Sequence, residues 1–309
     1  VRFNPKADIS GGRVSDRRGG GGGGGGLRRG GLGGGIPGGA VAGGGIGTTI
    51  LVIVIFLVVQ FAGGGGGSGD TGGAVETTDR YAECKSGQDA NENVDCARQA
   101  VELSLERYWS AELPAQTGTE LRPSQIVTFS GSTTTGCGGA TSDVGPFYCP
   151  TDETIYLDTT FFDDVLEGQL GGRGGDFVEP YVIGHEFGHH IQNILGTMGQ
   201  VRTQTGPESD SVRLELQADC YAGMWTKGAT STTDDQGVRI FDALDQGDID
   251  EALDSAKAVG DDRIQQRGGG DVNPEQWTHG SAAERQRWFT TGLNATDIRE
   301  CDTFAATSL

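Results

Sequence analysis

More than half of the glycines in this chain, 29 of 56, fall before residue 79. That skew constrains the fold more than anything else, because glycine loses more backbone freedom on ordering than any other residue. Residues 1–39 contain eight consecutive glycines, Gly19 to Gly26, with Arg13, Arg17, Arg18, Arg28 and Arg29 interspersed. Nothing there promises a core, and the stretch reads as a disordered tail. Residues 40–62 carry no charge, and Ile50 to Val59 are ten consecutive large apolar residues, so the 23-residue span is long enough to cross a bilayer. A cleaved signal peptide wants small residues at both −1 and −3 of the cut, and a cut after Ala62 would place Gln60 at −3. The span therefore reads as a single uncleaved anchor. Arginines precede it and none closely follows, which places the N-terminus in the cytoplasm and the rest outside. Residues 63–78 are a Gly-rich flexible linker. Residues 79–309 remain for one large extracytoplasmic domain, enough for a core of its own.

Charge is skewed the other way. The formal net charge is −20, and residues 1–39 hold seven basic side chains against two acidic ones. The remainder is strongly acidic, which excludes nucleic acid as a partner and favours solubility. The six cysteines, Cys84, Cys96, Cys137, Cys149, Cys220 and Cys301, all lie beyond the linker, in a compartment where disulfides persist. Closeness in sequence suggests Cys84–Cys96 and Cys137–Cys149, leaving Cys220–Cys301. A further metal site is the alternative, but no Cys-x-x-Cys spacing supports it.

Within residues 79–309, Asn93 to Leu113 has helical periodicity, Ile126–Phe129 and Thr154–Leu157 read as short strands, and Thr160–Leu170 as a further helix before a Gly-rich loop at 171–175. Then comes Tyr181-Val182-Ile183-Gly184-His185-Glu186-Phe187-Gly188-His189-His190-Ile191-Gln192. Residues four apart share a helical face, so His185 and His189 can meet one ion. Zn²⁺ suits two imidazole nitrogens plus one more protein ligand, with one position left for water. Glu186 lies where its carboxylate can take a proton from that water. Val182, Phe187, Ile191, Ile194 and Leu195 make the apolar stripe and Gly196 the stop, while Pro180 falls in the first turn, where it is tolerated.

A second helical segment begins near Ser211. In it Glu215 and Asp219 are four apart, so one carboxylate can complete the metal shell and the other can accept the free N–H of a ligand imidazole. Asp248 to Val259 is helical, and Ser281-Ala282-Ala283-Glu284 is a capping box opening a last helix through Trp288 and Phe289. Peptide hydrolysis develops an oxyanion that needs a positioned donor; His279, Tyr221 and Tyr181 are the candidates.

His185-Glu186-x-x-His189 followed by Glu215-x-x-x-Asp219 looks like the gluzincin clan of zinc peptidases. More closely, the chain resembles the bacterial family of putative neutral zinc metallopeptidases. The pieces that carry the likeness run in family order over residues 80–305: Cys137-Gly138, Gly145-Pro146-Phe147-Tyr148-Cys149-Pro150, Ile155-Tyr156-Leu157-Asp158, the metal helix, Glu215 to Gly223, Gly260-Asp261-Asp262 and Thr278-His279-Gly280. Pro180 departs from the alanine expected there, and the Gly-rich tail lies outside the likeness. The resemblance implies zinc ligation by His185, His189 and Glu215, Glu186 as base, and an N-terminal membrane anchor.

Together these features predict an α+β, zincin-like metallopeptidase domain, mainly helical with a small sheet, behind one transmembrane helix. Ile155–Leu157 is expected as the edge strand that pairs with extended substrate. The predicted activity is endopeptidase cleavage of peptide or protein substrates. The rivals are a non-catalytic surface module with structural zinc and a zinc amidase acting on cell-wall peptides.

Overall fold

The computed structural model describes residues 1–18 and 79–309, and these form mixed helix and small sheets. The first helices are α1 (Gly87–Glu92), with Ser86 and Asp89 forming a capping box, and α2 (Val94–Thr117), N-capped by Asn93 and ended by Gly118 at φ 71°. Helix α2 covers the predicted segment and runs a turn further, with Val101, Leu105, Trp109 and Leu113 turned into the core.

The main sheet has the order β2–β3–β7–β6. Strands β2 (Val14–Asp16), β3 (Gln125–Phe129) and β7 (Thr154–Asp158) are parallel, and β6 (Phe147–Cys149) closes one side antiparallel to β7. Two small pairs complete the strands: β1 (Arg2–Phe3) with β8 (Phe241–Ala243), and β4 (Ser132–Thr135) with β5 (Gly138–Thr141). The edge strands are therefore β2 and β6. Ile155–Leu157, expected at the edge, sits between β3 and β6. Every residue of β7 is buried, as a continuous run on a covered sheet requires.

The expected disordered tail needs correcting at its start. Residues 1–18 belong to the fold: Phe3, Ala7 and Ile9 are buried, and β2 lies in register beside β3, Val14 opposite Ile126. A short segment cannot make a core, but it can add three apolar side chains and a strand to one already present. The predicted anchor, 40–62, and linker, 63–78, lie outside the described residues. Among the described residues no helix is long and apolar enough to cross a membrane.

The predicted helix over Thr160–Leu170 forms as a short, wide π-helix, Phe162–Glu167, and the chain leaves helical geometry at Gly171, φ 65°. All three disulfides pair as sequence proximity suggested: Cys84–Cys96, Cys137–Cys149 and Cys220–Cys301.

Five α-helices follow the main sheet; the first four are α3 (Val178–Ile194), α4 (Asp210–Gly228), α5 (Gln246–Ala258) and the short α6 (Asp261–Arg267). The last is α7 (Ala282–Asn294), opened by the Ser281–Glu284 capping box. Helix α4 packs against both α3 and α7, and two glycines set the distances. A Cβ on Gly188 of α3 would lie 2.9 Å from the Ala218 carbonyl oxygen, and one on Gly292 of α7 would lie 1.9 Å from that of Cys220. Only glycine lets the three backbones come this close, and the closeness draws α3, α4 and α7 around one point.

Candidate metal centre

Helix α3 presents His185, Glu186 and His189, one face of α4 presents Glu215 and Asp219, and all are buried. His185 Nε2 lies 3.1 Å from Glu215 Oε2, and His189 Nε2 lies 3.5 Å from Glu215 Oε1. One ligand atom from each of the three residues falls within 4.8 Å of the others. A tetrahedral ion with bonds of about 2.0–2.2 Å holds its ligands roughly 3.3–3.6 Å apart, so the group fits zinc.

Each imidazole keeps Nε2 for the ion because Nδ1 is engaged elsewhere. His185 Nδ1 donates to Asp219 Oδ1 at 2.8 Å, and His189 Nδ1 donates to Gln192 Oε1 at 2.8 Å. Gln192 is itself held: its amide donates to the Leu214 carbonyl at 2.6 Å and to Gln217 Oε1 at 3.1 Å. Asp219 accepts from Tyr181 Oη at 2.7 Å and from Arg285 Nε at 2.8 Å and Nη2 at 3.0 Å. Such outer partners fix the ring tautomer and raise ligand basicity.

Electrostatics follow from burial and neighbours. Burial alone would raise Asp219, but Arg285 and then His185 pull its carboxyl down to about 2. Burial likewise opposes charge on Glu215, yet His189 and His279 hold it well below the usual carboxylate range. Burial lowers His185, and Asp219 and Glu215 more than reverse this, to about 10. A cation is therefore what the three-residue group calls for, and an arriving metal displaces a proton from it.

Glu186 differs from both carboxylates on α4. Burial raises its pKa, with the two histidines opposing. It accepts the backbone N–H of Tyr148 on β6, and its Oε2 is buried with no hydrogen-bond partner. It faces a cavity of about 90 Å³ that His185, His189, Glu215 and His279 also line.

Of the three candidate oxyanion donors, only His279 both reaches this cavity and keeps a polar group for it. Asp261 Oδ2 accepts the backbone N–H groups of Thr278, His279 and Gly280 at 2.7, 2.7 and 3.0 Å, while Oδ1 lies 3.4 Å from His279 Nδ1. Burial lowers the His279 pKa, but Glu215 and Asp261 raise it overall, so it tends to the charged, donating form. Tyr181 lines the cavity with its hydroxyl committed to Asp219. Tyr221 is buried against Trp109, away from the metal group. His190, adjacent to His189, is a structural residue: Tyr148 Oη lies 2.9 Å from Nδ1, and Nε2 donates to the Arg122 carbonyl at 2.7 Å.

Sequence reasoning missed Gln192, Arg285, Asp261 and the β6 backbone. Gln192 was visible as a polar side chain three residues after His189. Arg285 was visible as a lone charge inside the apolar face of α7, one residue past the capping box. Asp261 sits in the Gly260-Asp261-Asp262 stretch, but its link to His279 crosses 18 residues and no spacing rule reports it.

The family model described as "Putative neutral zinc metallopeptidase" matches residues 5–304. Among curated proteins, an uncharacterized protein of Mycobacterium tuberculosis, Rv2575, is 49% identical over 230 residues, covering 74% of this chain and 76% of the relative. The uncharacterized protein YpfJ of Escherichia coli is 42% identical over 207 residues, covering 65% and 68% respectively. No solved structure matches the chain at a significant level.

Proposed function

The chain belongs to the family of putative neutral zinc metallopeptidases, and on that premise we propose that it is a zinc-dependent endopeptidase with a zincin-like catalytic domain. The observation that carries this reading is Glu186. Glu186 lines the cavity beside His185, His189 and Glu215, and its buried Oε2 has no hydrogen-bond partner. A structural zinc site closes all four positions with protein ligands and needs no idle carboxylate.

His185, His189 and Glu215 hold the ion. Once bound, zinc supplies Lewis acidity, polarising the scissile carbonyl and making water acidic enough to attack at neutral pH. Glu186 takes the proton of the attacking water and delivers it to the leaving amine; its burial raises the pKa towards the range that serves both steps. His279, backed by Asp261, donates to the oxyanion. Strand β6 takes the place expected for β7. It is the edge strand on the side of Glu186, and extended substrate backbone pairs along it.

Three disulfides favour an oxidising, extracytoplasmic compartment. Membrane attachment through residues 40–62 is part of the proposal in a changed form: the β2–β3 pair asks that both flanks of that segment lie on the catalytic side.

The test is metal content and hydrolysis by the full chain, since residues 1–18 are part of the fold. One zinc per chain is expected, and His189→Ala should lose it. Full zinc occupancy in that variant rejects the ligand assignment.

A further inference from the structure

Residues 2–17 lie along the rest of the fold as a peptide lies in a binding groove. Asn91 of α1 holds Phe3 from both sides, accepting its N–H and donating to its carbonyl, each at 2.9 Å. Asn4 N–H donates to the Ile240 carbonyl at 2.9 Å, Ile9 N–H to that of Lys85 at 3.0 Å, and Asp8 N–H to Asp234 Oδ2 at 2.8 Å. Gln99 of α2 donates to the Ile9 carbonyl at 2.7 Å, and β2 then adds to β3. Phe3, Ala7 and Ile9 are buried, with the Phe3 ring 4.8 Å from that of Phe241. Main-chain pairing of this kind supplies affinity, and the side-chain pockets supply selectivity.

The fit is close enough to exclude other sequences. A Cβ on Gly12 would lie 2.4 Å from the Gln99 carbonyl oxygen, and one on Gly87 of α1 would lie 1.9 Å from that of Asn4. Both contacts are with backbone, so neither position takes a side chain without moving the segment out of its groove.

The far end of the segment is clamped together with the point where the domain resumes. Arg18 donates to Asp16 and, at 2.8 Å, to Asp95 at the start of α2. Arg80 Nε donates to the same Asp16 at 3.2 Å, and Tyr81 Oη to the same Asp95 at 3.3 Å. Both carboxylates are buried. The two flanks of residues 19–78 are therefore anchored side by side, and neither anchor needs the chain to be continuous between them.

We propose that residues 2–17 are a non-covalently held ligand of this groove, so that a chain cut between Arg18 and Asp79 remains one folded unit, and that the groove is a peptide site selective for this sequence. Cleavage on both sides of residues 40–62 then detaches the folded unit from that segment with its N-terminal strand in place.

The test uses the full chain with a specific protease site in place of part of the Gly19–Gly26 run. The cut protein is passed over gel filtration in mild detergent with its disulfides oxidised, and the N-terminal fragment is followed by mass. Co-elution with the larger fragment is expected. Phe3→Ala empties a buried pocket, and its fragment should dissociate at protein concentrations at least about 100-fold higher than the parent's; the uncut Phe3→Ala chain is the folding control. The larger fragment freed in this way should bind a labelled synthetic peptide of residues 2–18 saturably, and the Gly12→Val form of that peptide at least about 100-fold more weakly. A parent fragment that elutes alone after the cut, no uptake of the synthetic peptide, or equal uptake of the parent and Gly12→Val peptides overturns the proposal.

Discussion

Arg285 and Asp219 form a buried ion pair, joined at 2.8 Å through Nε and 3.0 Å through Nη2, with Asp219 also accepting from the Nδ1 of His185. One carboxylate thus serves both the fold and the metal centre. Removing one partner of a buried pair leaves an uncompensated charge, at a cost of about 3–5 kcal/mol. Asp219→Ala should therefore lose stability of that order even in the presence of a chelator, besides weakening zinc binding by about 10- to 100-fold. The double variant Asp219→Ala, Arg285→Met should recover much of the stability while zinc stays weak. Denaturant unfolding with chelator, beside a competitive zinc titration, separates the two effects. Unchanged stability in Asp219→Ala would show that the pair is solvated.

The N-terminal strand gives a topological prediction. β2 pairs with β3, and Arg13 N–H donates to Glu102 Oε2 at 2.6 Å, so residues 1–18 and the catalytic domain lie on one side of any membrane. An epitope placed before Val1 should be reached by external antibody in intact cells together with an epitope after Leu309. If the first is protected and the second exposed, the strands do not pair within one chain and the single-crossing topology stands.

Glu102 predicts a pH effect on stability. It is 1% exposed, and its Oε1 has no hydrogen-bond partner. Burial, against the Arg13 backbone bond, raises its pKa from 4.5 to about 8. Between those values the folded state holds a proton that the unfolded chain has released. The contribution is fully present below about 4.5 and is lost as pH rises through about 8, with a slope of at most about 1.4 kcal/mol per pH unit. Glu102→Gln should flatten the fall in unfolding free energy between pH 5 and 8. A slope identical to that of the parent protein would mean that Glu102 is already ionised in the fold.

Local signals made much of the centre legible. His185 and His189 share a face by helical period, and Glu215 and Asp219 do so on the next helix, so two four-residue spacings marked the group before any fold was known. Caps were equally local: Ser281 with Glu284 opens α7, and Gly196 follows the end of α3 at φ 75°. What was illegible depends on partners distant in sequence. Phe3 and Ile9 look like isolated apolar residues in a Gly-rich tail, yet both are buried, Phe3 against Phe241 of β8. The edge position belongs to β6 and not β7 because of strand order, which neither strand's composition carries. Arg285 stands out on the apolar face of α7, but its partner Asp219 lies 66 residues away on α4, and no spacing rule joins them.

Glu186 is the base of the proposed reaction, and the most direct measurement is peptide turnover by the full chain and by Glu186→Gln at matched, measured zinc content. The substitution keeps size and removes the base. Positioned proton transfer contributes about 10²- to 10⁴-fold, so kcat should fall by at least about 100-fold with zinc still bound at parental stoichiometry. Turnover in Glu186→Gln equal to that of the parent protein, with zinc retained in both, would contradict the assignment of this centre as a peptidase site.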